Sequence, residues 1–218
     1  MPKFPEPPGA DRLEAISPAL RHLPAGELVW RVHFLGGEHP CSWRQWRDFG
    51  PTSSRFDHQL PDVKGLPQAQ NRKILYGAIG AGAVPTCLAE IFQNTRFIDR
   101  TNKRPCLSAF ALTRELELLD LTGPWPTRAG CSMAINSGPR ARARRWAQQF
   151  YQAYSRLDGI LYPSSMYANS PAVAFFERAE NCAPAKPSFH RMLADPALED
   201  ALVNIASDIG YGLSGPGV

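Results

Sequence analysis

The sequence predicts a single α+β domain. Short apolar segments patterned as strands recur along it, stretches with a helical apolar stripe lie among them, and 218 residues with 44% apolar content suffice for one substantial core. The predicted architecture is a central mixed or split sheet with helices packed outside it.

The first ten residues hold four prolines and predict an irregular arm, after which Asp11 is placed to cap a short helix with Leu13, Ile16 and Leu20 on one face. Leu28 to Phe34 alternates as a strand does, which puts Arg31 and His33 together, either opposite the core face or in a polar cleft. From Gly36 to Arg72 the pattern is irregular, and Trp43, Trp46, Phe49 and Phe56 are interleaved with Arg44, Arg47 and Arg55. So long a loop-like segment inside a compact domain is more often functional than idle.

Ile74 to Ile79 reads as a buried strand, and the Gly80 to Gly82 turn leads into a helix over about Pro85 to Gln93. Its stripe is Leu88, Ile91 and Phe92, with Glu90 off it. Leu107 to Leu112 and Leu116 to Leu121 are strand candidates, and Trp146, Phe150 and Tyr154 make Arg140 to Tyr154 the clearest helix. Asp158 to Tyr162 and Ala172 to Phe176 read as two buried strands. A last amphipathic helix is predicted from Pro196 to Ile209, with Leu198, Leu202 and Ile205 aligned.

A net charge of +4 suits an anionic ligand, whether a dinucleotide or a nucleic-acid backbone. Five dispersed cysteines without a CxxC pair signal neither a disulfide framework nor a zinc site and fit a reducing cytoplasm, and the histidines show no HxxxH or HxH spacing, so no metal site is predicted. No stretch has the length needed to span a bilayer, so no membrane partner is expected. No Walker loop or GxGxxG is present, which argues against a retained dinucleotide cofactor.

The most informative stretch is Asp158-Gly159-Ile160-Leu161-Tyr162-Pro163-Ser164-Ser165, followed by Asn169 and the apolar run Ala172 to Phe176. It predicts two strands joined by a loop carrying hydroxyls and an amide. Upstream, Arg31, Arg55 and Glu90 are isolated polar residues in apolar settings, and together these features suggest a pocket. Each has a plainer reading: Glu90 on a solvated helix face, the arginines as surface residues or structural ion pairs, Tyr76 as a core tyrosine with a wet tip, and Ser164 as a turn serine bonding its own backbone.

The order Trp30-Arg31-Val32, Ser54-Arg55-Phe56, Ile74-Leu75-Tyr76, Leu88-Ala89-Glu90 and Asp158-Gly159-Ile160 to Ser164 resembles the RES domain, the toxin half of a bacterial toxin–antitoxin pair. The likeness covers roughly Leu28 to Glu177. Val32 stands where the family often has a second aromatic, and Ser54 where it usually has glycine. The organisation that follows is an N-terminal arm and short helix (1–27), a catalytic core (28–180) and a C-terminal loop and amphipathic helix on the same domain (181–218).

The resemblance implies an ADP-ribosyltransferase-like fold and an NAD phosphorylase or NAD glycohydrolase, with NAD as substrate, phosphate as a possible co-substrate and no retained cofactor. It implies catalytic roles for Glu90, Arg31 and Tyr76 and substrate binding by Arg31, Arg55, Tyr76, Ser164 and Asn169, with Ser165 the alternative to Ser164. The partner it implies is a helix-turn-helix antitoxin of the Xre type, with no direct nucleic-acid binding by the toxin alone. Two rivals differ in class: a mono-ADP-ribosyltransferase acting on a protein, and a non-enzymatic nucleic-acid-binding domain built on Trp43 to Phe56. The cluster Arg140, Arg142, Arg144 and Arg145 reads as a solvated helix face or as a docking surface for an acidic partner.

Overall fold

A computed structural model describes residues 3–215. In chain order the elements are α1 (Ala10–Glu14), β1 (Leu20–Leu23), β2 (Leu28–Phe34), β3 (Arg47–Gly50), β4 (Gln68–Ala78), α2 (Ala83–Ile91), β5 (Phe97–Ile98), β6 (Pro105–Ala111), β7 (Leu116–Asp120), α3 (Trp125–Ala129), α4 (Arg140–Ala153), β8 (Gly159–Pro163), β9 (Pro171–Phe176), β10 (Phe189–Met192), α5 (Glu199–Ile209) and β11 (Gly212–Leu213). Three short 3₁₀ turns, Met133–Asn136, Glu177–Cys182 and Pro196–Leu198, complete the described segment. No helix among the described residues is long and apolar enough to cross a membrane.

The central sheet runs β1-β7-β8-β9-β4-β2-β6-β10, with β3 attached to β4, and is mixed because β7 and β8 are parallel while the other pairs are antiparallel. Strands thus join it from both sides of residues 28–180, since β1 precedes that span and β10 follows it. The short β5 and β11 pair in parallel apart from it.

β4 is where the sheet splits. Its residues 74–78 pair with β9 along one edge, while the other edge takes β3 up to Ile74 and then β2 at the single pair Trp30↔Ala78. Two strands leaving one edge in different directions open a cleft, and Tyr76 stands between their attachment points.

The period-two pattern of β8 and β9 is buried on both faces, as expected for central strands. Ile160, Tyr162, Ala172, Ala174 and Phe176 pack with Leu13, Trp125, Trp146 and Phe150 of α1, α3 and α4. The alternate residues Leu161, Val173 and Phe175 turn to the opposite core with Val29, Phe110 and Trp46. α2 and α5 cover a third cluster around Val32, Leu88, Leu107 and Leu202.

Several expectations are corrected. The first helix is preceded by Gly9 rather than capped by Asp11, and Leu20 lies in β1 and is exposed, because the chain turns to pair with β7. The irregular segment contains β3 and the start of β4. Ile91 leaves the apolar face of α2 and is exposed, since the helix ends there beside an open cavity. Arg142 and Arg145 bind the Glu6 carboxylate, so half of the predicted basic face is occupied by the protein's own N-terminal arm. Arg145 first, then Arg142, hold the Glu6 carboxyl below its ordinary value.

Gly77 lets β2 and β4 approach. A Cβ there lies 2.7 Å from Val29 Cγ1 and 2.9 Å from the Trp30 carbonyl oxygen, and backbone cannot retreat cheaply. Gly77→Ala is expected to destabilise the fold by about 2 kcal/mol, in the range of core overpacking. An unchanged urea midpoint would show that the two strands have slack.

Candidate functional site

The split in the sheet holds a cavity of about 1030 Å³ between β2, β3, β4, α2 and the N-terminus of α4. That is the size of a site able to take a large organic ligand. Arg31, Arg47, Arg55 and Arg140 converge on it, with Tyr76 and Glu90 among the lining residues. The exposed acids Glu38 and Asp48 are also on its wall, but the four guanidiniums outnumber its three carboxylates, which favours an anionic occupant.

Arg31 reaches the cavity from β2 because its neighbours Val32 and Trp30 turn to the α2 side. Its Nη1 donates to the carbonyls of Trp43 at 3.1 Å and Gln45 at 3.3 Å, whereas Nε is buried with no acceptor among the described residues. A buried charged donor without a partner is costly unless a ligand supplies the acceptor. Arg55 is anchored by Nη1 to the carbonyls of Gly138, at 2.6 Å, and Ile135. Burial, and then the nearby Arg140, lower its guanidinium pKa from the ordinary value. Both arginines are therefore held by one corner of the fork, leaving other donors for a ligand.

Asp57 organises the floor. Fully buried, it accepts from Arg47 Nη2 at 2.5 Å, from Thr52 N at 2.7 Å and Thr52 Oγ1 at 2.8 Å, and from the Tyr76 hydroxyl at 2.8 Å. The Tyr76 oxygen in turn accepts from Phe56 N at 3.2 Å. Burial, then the Asp57 charge, push the Tyr76 phenol well above its usual range, so it remains a neutral hydroxyl fixed on the cleft floor.

Glu90 lies half-buried one residue before the end of α2 and accepts a 2.6 Å hydrogen bond from Ser164 Oγ. Ser164 is 1% exposed, and its oxygen also accepts from the amides of Met166 and Tyr167. Ser164 thus orients the Glu90 carboxylate, and Ser165 rather than Ser164 is among the residues that line the cavity. Both serines lie beyond the end of β8, and Ser165 opens the turn that follows it, so strand alternation does not govern which of them meets the cavity.

Asn169 lies on the turn between β8 and β9. It sits exposed with φ +56 on the loop after β8 and takes no part in the cavity wall, because the left-handed turn that returns the chain to β9 carries it outward.

Arg47, Asp57, Asn136 and Arg140 were missed as site residues. Arg140 reaches the site by donating to Gln93 Oε1, whose amide is tied to the Glu90 carbonyl at 2.6 Å. Only the buried run Asp57-His58-Gln59, polar but wholly enclosed, departs from loop behaviour, and no periodicity announces it. The aromatics once expected to serve nucleic acid are mostly core: Trp46 and Phe56 are buried and Trp43 packs on Phe110, which leaves Phe49 exposed. A row of stacking bases has no platform there.

Asp57→Ala removes the buried partner of Arg47 and of Tyr76 together, and a loss of about 3 kcal/mol is expected for breaking such a pair. Chemical denaturation measures it; a loss below about 1 kcal/mol, the worth of an ordinary hydrogen bond, would mean that Asp57 does not hold the floor together.

Comparison with known proteins follows the same outline. A search of curated proteins finds no relative of this chain. Among solved structures it is similar to a chain of the crystal structure of the M. tuberculosis MbcT-MbcA toxin-antitoxin complex, at 19% identity and a TM-score of 0.50, covering 88% of this chain and 95% of that one. That likeness supports the α+β fold with its mixed sheet. The RES domain matches residues 28–195, from the first residue of β2 to just past β10, and contains Arg31, Arg55, Tyr76, Glu90 and Ser164. With most of its length matched, the chain belongs to the RES domain family.

Proposed function

We propose that this chain is the toxin of a toxin–antitoxin pair and acts by cleaving the nicotinamide–ribose bond of NAD. The observation that carries the reading is a carboxylate, Glu90, oriented by Ser164 and set in a cavity lined by arginines. Arg31 and Arg55 each engage the protein through Nη1 alone, and the donors left over suit a pyrophosphate, whose oxygens match a guanidinium two at a time. Family membership and the similarity to a chain of a toxin-antitoxin complex support the biological role.

In the proposed reaction the C1′–N bond breaks and its electron pair leaves with nicotinamide. Positive charge grows on the ribose, where a fixed carboxylate stabilises it, and an oxygen of phosphate or water then forms the new bond at C1′. NAD is consumed as a substrate and not retained. The antitoxin is read as a helix-turn-helix protein that fills the same cavity, and the free state of all five cysteines agrees with a cytoplasmic setting.

The test is to incubate the purified chain with NAD, with and without phosphate, and to identify products by mass. Glu90→Gln keeps the shape and removes the charge, so turnover is expected to fall roughly a hundredfold or more while NAD binding changes little. Ser164→Ala is expected to fall by about tenfold, the value of one hydrogen bond to a charged group. Intact NAD after prolonged incubation, or a folded Glu90→Gln protein with normal turnover, would overturn the reading.

Arg31→Lys and Arg55→Lys keep charge and lose the fork. Each is expected to raise KM for NAD by about tenfold, near 1.4 kcal/mol, because bidentate geometry is what the substitution removes. Wild-type KM in both variants would make these arginines structural.

A further inference from the structure

The histidines that show no metal spacing along the chain are brought together by the sheet. In the β2–β6 register His33 lies opposite Cys106 and Arg31 opposite Ser108, and in the β6–β10 register Ser108 lies opposite His190 and Cys106 opposite Met192. Residues directly opposite, and those two apart on one strand, project from the same face. His33, Cys106, Ser108, His190 and Met192 therefore share one corner of the sheet.

The side chains meet there. One donor atom each from His33, Cys106 and His190 lie within 4.8 Å of one another. Cys106 Sγ is 3.6 Å from His190 Nδ1 and 3.7 Å from its Nε2. Around a tetrahedral zinc ion, bond lengths of about 2.0 Å to nitrogen and 2.3 Å to sulfur place such ligand atoms about 3.6 Å apart. The Cys106–His190 spacing is already that of a ligand pair, and the His33 donor lies within 4.8 Å of both.

The hydrogen bonds prepare His33 for the role. Its Nδ1 is 3.0 Å from the Cys41 carbonyl, which can only accept, so Nδ1 carries the proton and Nε2 presents its lone pair to the cluster. A ring nitrogen donating to a backbone carbonyl is the usual outer support of a metal-binding histidine. Nε2 at present accepts from Ser108 Oγ at 3.0 Å, and Ser108 Oγ accepts from His190 Nδ1 at 2.8 Å. The Cys106 thiol donates to the Arg191 carbonyl at 3.1 Å.

We propose that His33 Nε2, Cys106 Sγ and His190 form a binding site for a zinc-class divalent transition ion, with water or the Met192 thioether in the fourth position. On binding, the thiol proton of Cys106 is released to solvent and the Ser108 hydroxyl turns from His33. Two imidazoles and a thiolate select such an ion over magnesium or calcium. Access is open, because His190 and Met192 border a surface cavity of about 660 Å³. A bound ion ties the edge strand β10 to β6 and β2, with His190 in the register row of Arg31 and His33 and Cys106 two positions along.

The experiment measures binding and not turnover, so it stands apart from the NAD reading. Untagged, chelator-stripped full-length protein is dialysed against Zn²⁺ alone for stoichiometry, and against Co²⁺ alone for its absorption spectrum. One ion per chain and a sulfur-to-cobalt charge-transfer band are expected. His190→Gln, at an exposed position, and Cys106→Ser should each weaken binding at least about tenfold, since changes to outer-shell partners alone cost that much. His22→Gln, at an exposed position on β1 at the opposite edge of the sheet from β10, should leave it unchanged. Substoichiometric zinc, a cobalt spectrum without the thiolate band, or full binding by a folded His190→Gln protein would overturn the site.

Discussion

The carboxylate of Asp57 is buried completely, and removing such a charge from water costs several kcal/mol unless donors replace the lost hydration. Arg47, Thr52 and Tyr76 supply them with four hydrogen bonds. Arg47 belongs to β3, Thr52 to the loop after it and Tyr76 to β4, so satisfying one charge fastens the irregular segment onto the sheet. The cavity depends on this. Arg55 and Phe56 take their places because their neighbour Asp57 is pinned, and Phe56 can then pack on Tyr162 with tilted rings whose centroids are 4.6 Å apart.

The same logic runs through the charged groups of the cleft. Each is held by part of its hydrogen-bonding capacity and left free in the rest: Arg31 and Arg55 through one Nη, Glu90 through one oxygen on Ser164. Such groups have lost most of their rotamer freedom before a ligand arrives, which reduces what binding must spend on ordering them. The sheet supplies the rigidity, since β8 and β9 are buried on both faces and Ser164 follows β8 directly.

A contrast runs along one face of β2. At Arg31 the strand faces a cleft rich in guanidinium, whereas at His33 it meets a soft nitrogen and sulfur set contributed by β6 and β10. Adjacent chemistry of such different kinds arises because three strands end near one another at this edge.

The sequence by itself determined the periodic part of this protein: β2, the end of β4, α4, β8, β9 and α5 lie where apolar spacing placed them, because burial of a face imposes a repeat that the chain must carry locally. The order of its short motifs also determined the family, together with Arg31, Arg55, Tyr76 and Glu90 as residues of one cleft. The tertiary structure alone decided which serine faces the cavity, that Asn169 points away, that Asp57, Arg47 and Arg140 belong to the site, and that His33, Cys106 and His190 meet. Those outcomes depend on strand register and on loops pinned by buried charge. Contacts between residues scores of positions apart leave no period in the sequence, and a shift of one residue reverses the face that every side chain meets.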